Sequence, residues 1–207
     1  MTSMTRASYD LVAADYARLL PGAHDGRPLD AAIMRAFAEL AESPVGDLGC
    51  GAGRITRYLH DLGLEAVGVD LSDGMVAEAR RLHPHLEFAQ GDITGLDLAD
   101  DSLGSAVVWY STVHMPAEEV PWREFHRVVK PGGYLLHAFK LGNRVRHLSH
   151  AYGHDVDLDV YWHDMDVVVT GATEAGFNEV ARPERQKGVD EAGPQAFLLL
   201  RKRNPGA

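Results

Sequence analysis

The chain has 207 residues, enough for one domain with a substantial core, and its 45% hydrophobic and 24% charged residues are ordinary for a globular protein. A formal net charge of −10 argues against a nucleic-acid partner, which needs a clustered basic surface. A single cysteine excludes an internal disulfide, no apolar run reaches membrane-spanning length, and no signal-like stretch opens the chain, so the expectation is one cytoplasmic domain over residues 1–207 that does not engage a membrane.

Residues 6–20 carry Leu11, Val12, Tyr16, Leu19 and Leu20 at helical spacing and stop at Pro21-Gly22, which predicts an amphipathic helix. A second helix is predicted over 28–41, ahead of Ser43-Pro44. The first strand, Val45–Leu48, runs into Gly49-Cys50-Gly51-Ala52-Gly53-Arg54, and a helical pattern leaves that turn. Alternating glycines let a ligand approach the main chain, and the following helix aims its free N–H groups at the same place. A dinucleotide fingerprint would need glycine where Arg54 stands. Cys50 reads as a packing or ligand-contact residue, not a nucleophile.

A short buried strand over 65–70 closes on Asp70, about 20 residues past the first glycines, the length of one βαβ unit. Its two oxygens can accept both hydroxyls of a ribose, or the carboxylate can serve the N-terminus of the helix that starts after Ser72. That helix runs to about His83, where Pro84 ends it. Strand 86–89 follows and closes with Gln90-Gly91-Asp92-Ile93, an acid and an apolar residue able to bond and cover an adenine. Asp97 to Asp101 read as a solvated loop. The fourth strand, 105–110, leads to Ser111-Thr112-Val113-His114 and then a helix ending at Arg127-Val128-Val129-Lys130.

Lys130-Pro131-Gly132-Gly133 is a turn into strand Tyr134–Lys140. Residues 142–163 break the rhythm and read as an insertion, a strand or hairpin over the acceptor side of the pocket. The basic cluster Arg144, Arg146 and His147 is either a solvated face or a cationic patch for an anionic acceptor. His147, His150, His154 and His163 would align as metal ligands only on a helix, which Gly153 and the alternation at Val156, Leu158 and Val160 oppose, so no metal is expected. Helix 164–176 ends on a glycine cap, and strands 178–182 and 195–201 are expected to pair as a hairpin at the sheet edge.

Four stretches in order, 45–54, 65–70, 90–93 and 130–133, resemble the motifs of class I S-adenosylmethionine (SAM) methyltransferases. Asp47-x-Gly49-x-Gly51-x-Gly53 is similar to their first motif, with its acid two residues before the first glycine. Tyr9-Asp10-x-x-Ala13-x-x-Tyr16 resembles the lid helix of small-molecule members, whose tyrosines cap the cofactor; here the two rings either do so or pack on the sheet. The resemblance implies an α/β, Rossmann-like, doubly wound sheet of seven mostly parallel strands with an antiparallel last strand. It divides the domain into two N-terminal lid helices (1–43), a SAM-binding half (44–140) and an acceptor-side insertion with a C-terminal hairpin (141–207).

It also implies SAM as cofactor and S-adenosylhomocysteine (SAH) as product, held by Tyr16, Asp47, Gly49, Cys50, Gly51, Gly53, Arg54, Asp70, Leu71, Ser72, Met75, Asp92, Ile93, Tyr110 and Ser111. After the fourth strand the chain reads Trp109-Tyr110-Ser111-Thr112, not the Asn/Asp-Pro-Pro-Tyr/Phe of enzymes that methylate nucleic-acid amines or glutamine amides, so the implied acceptor is the O or N atom of a small molecule. His114, directly after the fourth strand, is the candidate general base, or it lines the pocket without moving a proton. His137 reads as a core or pocket-lining residue. A protein of this fold that transfers no methyl group, an isomerase, a cyclase or a non-catalytic SAM-binding module, is the alternative.

Overall fold

The structure is a computed structural model and describes residues 3–20, 22 and 27–204. Helices α1 (Ser3–Leu19) and α2 (Pro28–Leu40) precede an alternating series: β1 (Val45–Leu48), α3 (Arg54–Asp61), β2 (Ala66–Asp70), α4 (Asp73–Leu82), β3 (Glu87–Gln90), β4 (Ser105–Trp109), α5 (Trp122–Val128) and β5 (Tyr134–Lys140). Strands β6 (Arg144–Ala151) and β7 (His154–Trp162), helix α6 (Met165–Glu174), and strands β8 (Phe177–Ala181), β9 (Glu184–Arg185) and β10 (Gln195–Lys202) complete it. Pro21, half of the expected stop signal of the first helix, lies outside the described residues.

The main sheet runs β3-β2-β1-β4-β5-β10-β8, with the two-residue β9 pairing β10 as an eighth strand among the described residues. β3, β2, β1, β4 and β5 are parallel, and β10 is antiparallel to β5 and to β8. The C-terminal strands therefore pair as expected, but β10 sits inside the sheet and β8 forms the edge. That placement follows from composition: Gln195 to Leu198 and Leu200 are fully covered, whereas β8 buries only Phe177.

The central strands are buried on both faces, as parallel strands between helices must be. Side chains alternate: Val107, Leu136 and Phe197 meet Met34 and Phe37 of α2 and Ile55 and Leu59 of α3, while Ala106, Val108, Leu135 and Phe139 meet Phe125 of α5 and Val168 of α6. α4 packs Val76 and Ala79 on Phe88 of β3. The strand order reverses between β1 and β4, the point at which open α/β sheets hold their ligands.

One segment differs from expectation. The helix expected after His114 is instead two 3-10 turns, Thr112–His114 and Ala117–Glu119, and a short α5. Pro116 and Pro121 cannot donate to a helical ladder, so each begins a new element. Residues 144–162 form a separate two-stranded hairpin closed by Tyr152 (φ 53°) and Gly153 (φ 85°), the paired positive angles of a tight hairpin turn. His147 and His150 face Asp159 and Asp155 across it at 3.1 Å.

Candidate functional site

The turn after β1 is stitched to the end of β2: the Gly49 and Cys50 amides donate to the Val69 carbonyl, and the Gly51 amide donates to Asp70 Oδ2 at 2.8 Å. Asp70 Oδ1 accepts the Ser72 amide at 2.9 Å. Each oxygen keeps a lone pair for a further donor. Burial raises the Asp70 pKa, opposed by these two amides. Gly51, at φ 54°, faces open space: an added Cβ would meet nothing nearer than Tyr16 at 3.7 Å. Gly49 is a glycine for another reason, because a Cβ there would collide with Ser111, whose hydroxyl donates to the Leu48 carbonyl.

Gly49, Gly51, Asp70, Leu71, Ser72, Met75, Ile93, Tyr110, Ser111, Tyr16 and His114 line one cavity of about 70 Å³, so most of the expected set converges there. Other expected residues do not line it. Asp47 is fully buried and accepts the Thr56 hydroxyl at 2.6 Å on Oδ2, while its Oδ1 has no hydrogen-bond partner among the described residues. Burial pushes its carboxyl up to about 6. Cys50 is buried against Phe88, and burial raises its thiol pKa. Gly53 caps α3, Arg54 donates to the Gly22 carbonyl, and Asp92 Oδ1 accepts from the amide and hydroxyl of Thr94. Thr5, Arg6, Tyr9 and Trp109 line the cavity and were not in the expected set; Tyr9 alone had a sequence signal, the lid-helix pattern.

α1 closes over this cavity. Asp10 Oδ1 accepts from the Ser72 hydroxyl (2.6 Å) and the Gly74 amide (3.0 Å), placing a carboxylate on the N-terminus of α4. Arg6 pairs with Asp73, and Asp15 with His154 of β7 at 2.8 Å. Gly74 permits the crossing, since a Cβ would lie 3.0 Å from the Asp10 carbonyl oxygen.

Tyr9 and His114 form the polar end. Tyr9 Oη lies 2.7 Å from His114 Nε2, and His114 Nδ1 lies 2.7 Å from the Asp159 carbonyl oxygen. A carbonyl only accepts, so Nδ1 carries the proton and Nε2 accepts from the tyrosine. Burial lowers the His114 pKa and raises that of Tyr9 well above the ordinary phenol value, so the pair is neutral near pH 7. Tyr110 follows β4 at φ 57°, a strained angle for a bulky residue, with its buried hydroxyl unpartnered among the described residues. His137, by contrast, is a core residue, bonded through Nε2 to the Thr112 hydroxyl.

A second cleft of about 480 Å³ adjoins the first and shares Tyr9, Tyr16, Tyr110 and His114 with it. The hairpin supplies much of its wall, including Leu148, Leu158, Val160 and Trp162. Among the described residues no cluster of three or more His, Cys, Asp or Glu side chains is placed to hold a metal ion, and no helix is long and apolar enough to cross a membrane.

Residues 45–133 match the family described as a methyltransferase domain. The chain is 37% identical over 90 residues to a demethylmenaquinone methyltransferase of Beutenbergia cavernae, covering 44% of this chain and 38% of that protein. It is 36% identical over 109 residues to a malonyl-[acyl-carrier protein] O-methyltransferase of Enterobacter lignolyticus, covering 50% and 41%. The matched stretches thus span about two-fifths of the length of these curated relatives. The crystal structure of magnesium protoporphyrin IX methyltransferase from Synechocystis PCC 6803 with bound SAM superposes with a TM-score of 0.74 at 16% identity, covering 97% of this chain and 96% of that one. At that identity the likeness is one of fold.

Proposed function

We propose that this chain, which carries the class I S-adenosylmethionine-dependent methyltransferase domain and fold, binds SAM in the smaller cavity and transfers its methyl group to an O or N atom of a small molecule held in the adjoining cleft. The observation that carries the reading is the wall common to both spaces. Tyr9, Tyr16, Tyr110 and His114 face each of them, so two reactants bound side by side would meet there.

The polar groups suit a nucleoside sulfonium. Asp70 would accept ribose hydroxyls, Gly51 lets the main chain approach closely, Ile93 would cover the base, and Asp70 supplies a negative charge near a cationic ligand. When bound, SAM supplies an activated methyl group on a cationic sulfur, and the protein's own share is alignment, water exclusion and proton management. For a hydroxyl acceptor, Tyr9 Oη would take the acceptor's proton while passing its own to His114 Nε2, which the fixed tautomer leaves free to receive it. His114 is thus the base and Tyr9 the group that reaches the acceptor.

The acceptor's identity does not follow from the relatives. The family match covers residues 45–133, whereas much of the cleft wall comes from α1, the end of β5 and the hairpin, which lie outside it. Calorimetric titration with SAM, SAH and NADH tests the reading. SAM and SAH should bind and NADH should not, and Asp70→Ala should weaken SAH by about 1.5–3 kcal/mol, the scale of hydrogen bonds to a charged group. Failure to take up SAH would overturn it.

A further inference from the structure

We infer that the acceptor is an apolar or aromatic small acid, and that Lys140 holds its carboxylate in the larger cleft. This rests on the methyltransferase reading and adds the substrate class. Lys140 is the last residue of β5, half-buried, and its ammonium has no hydrogen-bond acceptor or ion-pair partner among the described residues; its contact there is the Trp162 ring, 5.6 Å away. The cleft wall carries four cationic side chains, Arg27, Arg54, Lys140 and Arg146, against Asp190 and Glu191, in a chain whose net charge is −10.

Glu191 does not neutralise Lys140, because Arg185 takes both of its oxygens (2.5 and 2.8 Å) and Arg27 lies 3.5 Å away. Burial, opposed by the charge of Glu191 but joined by those of Arg27, Arg144 and Arg185, holds the Lys140 pKa below the ordinary lysine value, an electrostatic cost that a bound anion would relieve. Much of the remaining wall is apolar or aromatic, with Trp162, Val160 and Leu158 buried in it, beside the polar His114 and Gln195. A half-buried ammonium between such walls suits a carboxylate carried on an apolar body, while Arg146 lines the same cleft from an exposed position. Lys140 and His114 line the same cleft, so an acid held by Lys140 would share that space with the proposed transfer point.

The test uses protein preloaded with SAH, so that cofactor uptake is read first and separately. Benzoate, cinnamate and 1-naphthoate are titrated against the loaded protein beside their primary amides. At least one acid should bind tenfold or more tighter than its amide. Lys140→Met should abolish that preference and Lys140→Arg should keep most of it, with SAH affinity and the melting temperature unchanged in both. If SAH binds and no acid is preferred over its amide, or if Lys140→Met retains the preference, the inference is overturned. If SAH itself does not bind, the methyltransferase reading fails instead.

Discussion

His114, the proposed base, and Tyr9 share one hydrogen bond, so their effects on turnover should not add. His114→Ala and Tyr9→Phe should each lower the rate about 10²-fold or more with any acceptor hydroxyl that supports transfer, and the double variant should be little worse than either single one. Because burial depresses the His114 pKa, the acid limb of the pH–rate profile should lie below the usual histidine value of about 6.5. Unchanged turnover in His114→Ala would remove it from the chemistry. Asp47 presents the opposite electrostatics. Its carboxyl is raised to about 6, so the native state binds a proton more tightly than the unfolded chain, and stability falls as pH rises from about 4 through 6. In urea denaturation, the stability difference between wild type and Asp47→Asn should shift by about 2–3 kcal/mol between pH 4 and pH 7. A flat difference would show that Asp47 ionises without penalty.

The elements that matter most to function are α1 and the β6–β7 hairpin, which meet over the cavities through Tyr16 and Tyr152, ring centroids 5.1 Å apart. A cavity of about 70 Å³ is smaller than the roughly 300 Å³ at which small-molecule pockets begin, so α1 must withdraw to admit a nucleoside. Its anchorage on α4 is the Asp10 carboxylate at the helix N-terminus. Asp10→Ala should therefore speed SAH association in stopped-flow mixing by about tenfold, the equivalent of about 1.4 kcal/mol of lost anchorage. An unchanged association rate would show that α1 is not the barrier. The hairpin was legible as an insertion, a strand or hairpin, from the break in the β/α rhythm and the alternation at Val156, Leu158 and Val160. Its inward residues Leu158, Val160 and Trp162 alternate with exposed Asp155, Asp157 and Asp159, a strand pattern, but which pocket they cover depends on contacts distant in the chain.

At the scale of the molecule, the C-terminal loop is tied to α2 by Arg185, which bonds both oxygens of Asp30 (2.6 and 3.0 Å) and both of Glu191. All three side chains are largely covered, with exposures of 12%, 3% and 10%. Arg185→Met would remove the cation that Asp30 and Glu191 share, leaving Glu191 with Arg27 at 3.5 Å, and should cost about 3–5 kcal/mol in chemical denaturation. Arg185 holds the Glu191 carboxyl down at about 2, so this contribution is complete above the ordinary glutamate value and is lost as pH falls from about 4.5 toward 2. Arg185→Met should remove most of that acid-side loss, with Arg27 and the Gly188 amide keeping the remainder.

The sequence alone determined the parallel core and the cofactor half. Strand Val45–Leu48, the glycine turn, Asp70 twenty-odd residues on and the turn at Lys130-Pro131-Gly132-Gly133 are local patterns, in which period, turn chemistry and helix-start signals act within one βαβ unit. There Pro131 and Gly132, at φ 81°, close a turn sealed by the Gly133 amide on the Lys130 carbonyl, all within four residues of chain. What only the tertiary structure decided is the other side: that Tyr9 reaches His114 across 105 positions, that the Asp159 carbonyl sets the histidine's tautomer, and that Lys140, beside Trp162, has no ion-pair partner among the described residues. Those contacts join segments with no periodic relation to one another, so their geometry exists only once the sheet has brought the strand ends to one rim and α1 and the hairpin have closed over it.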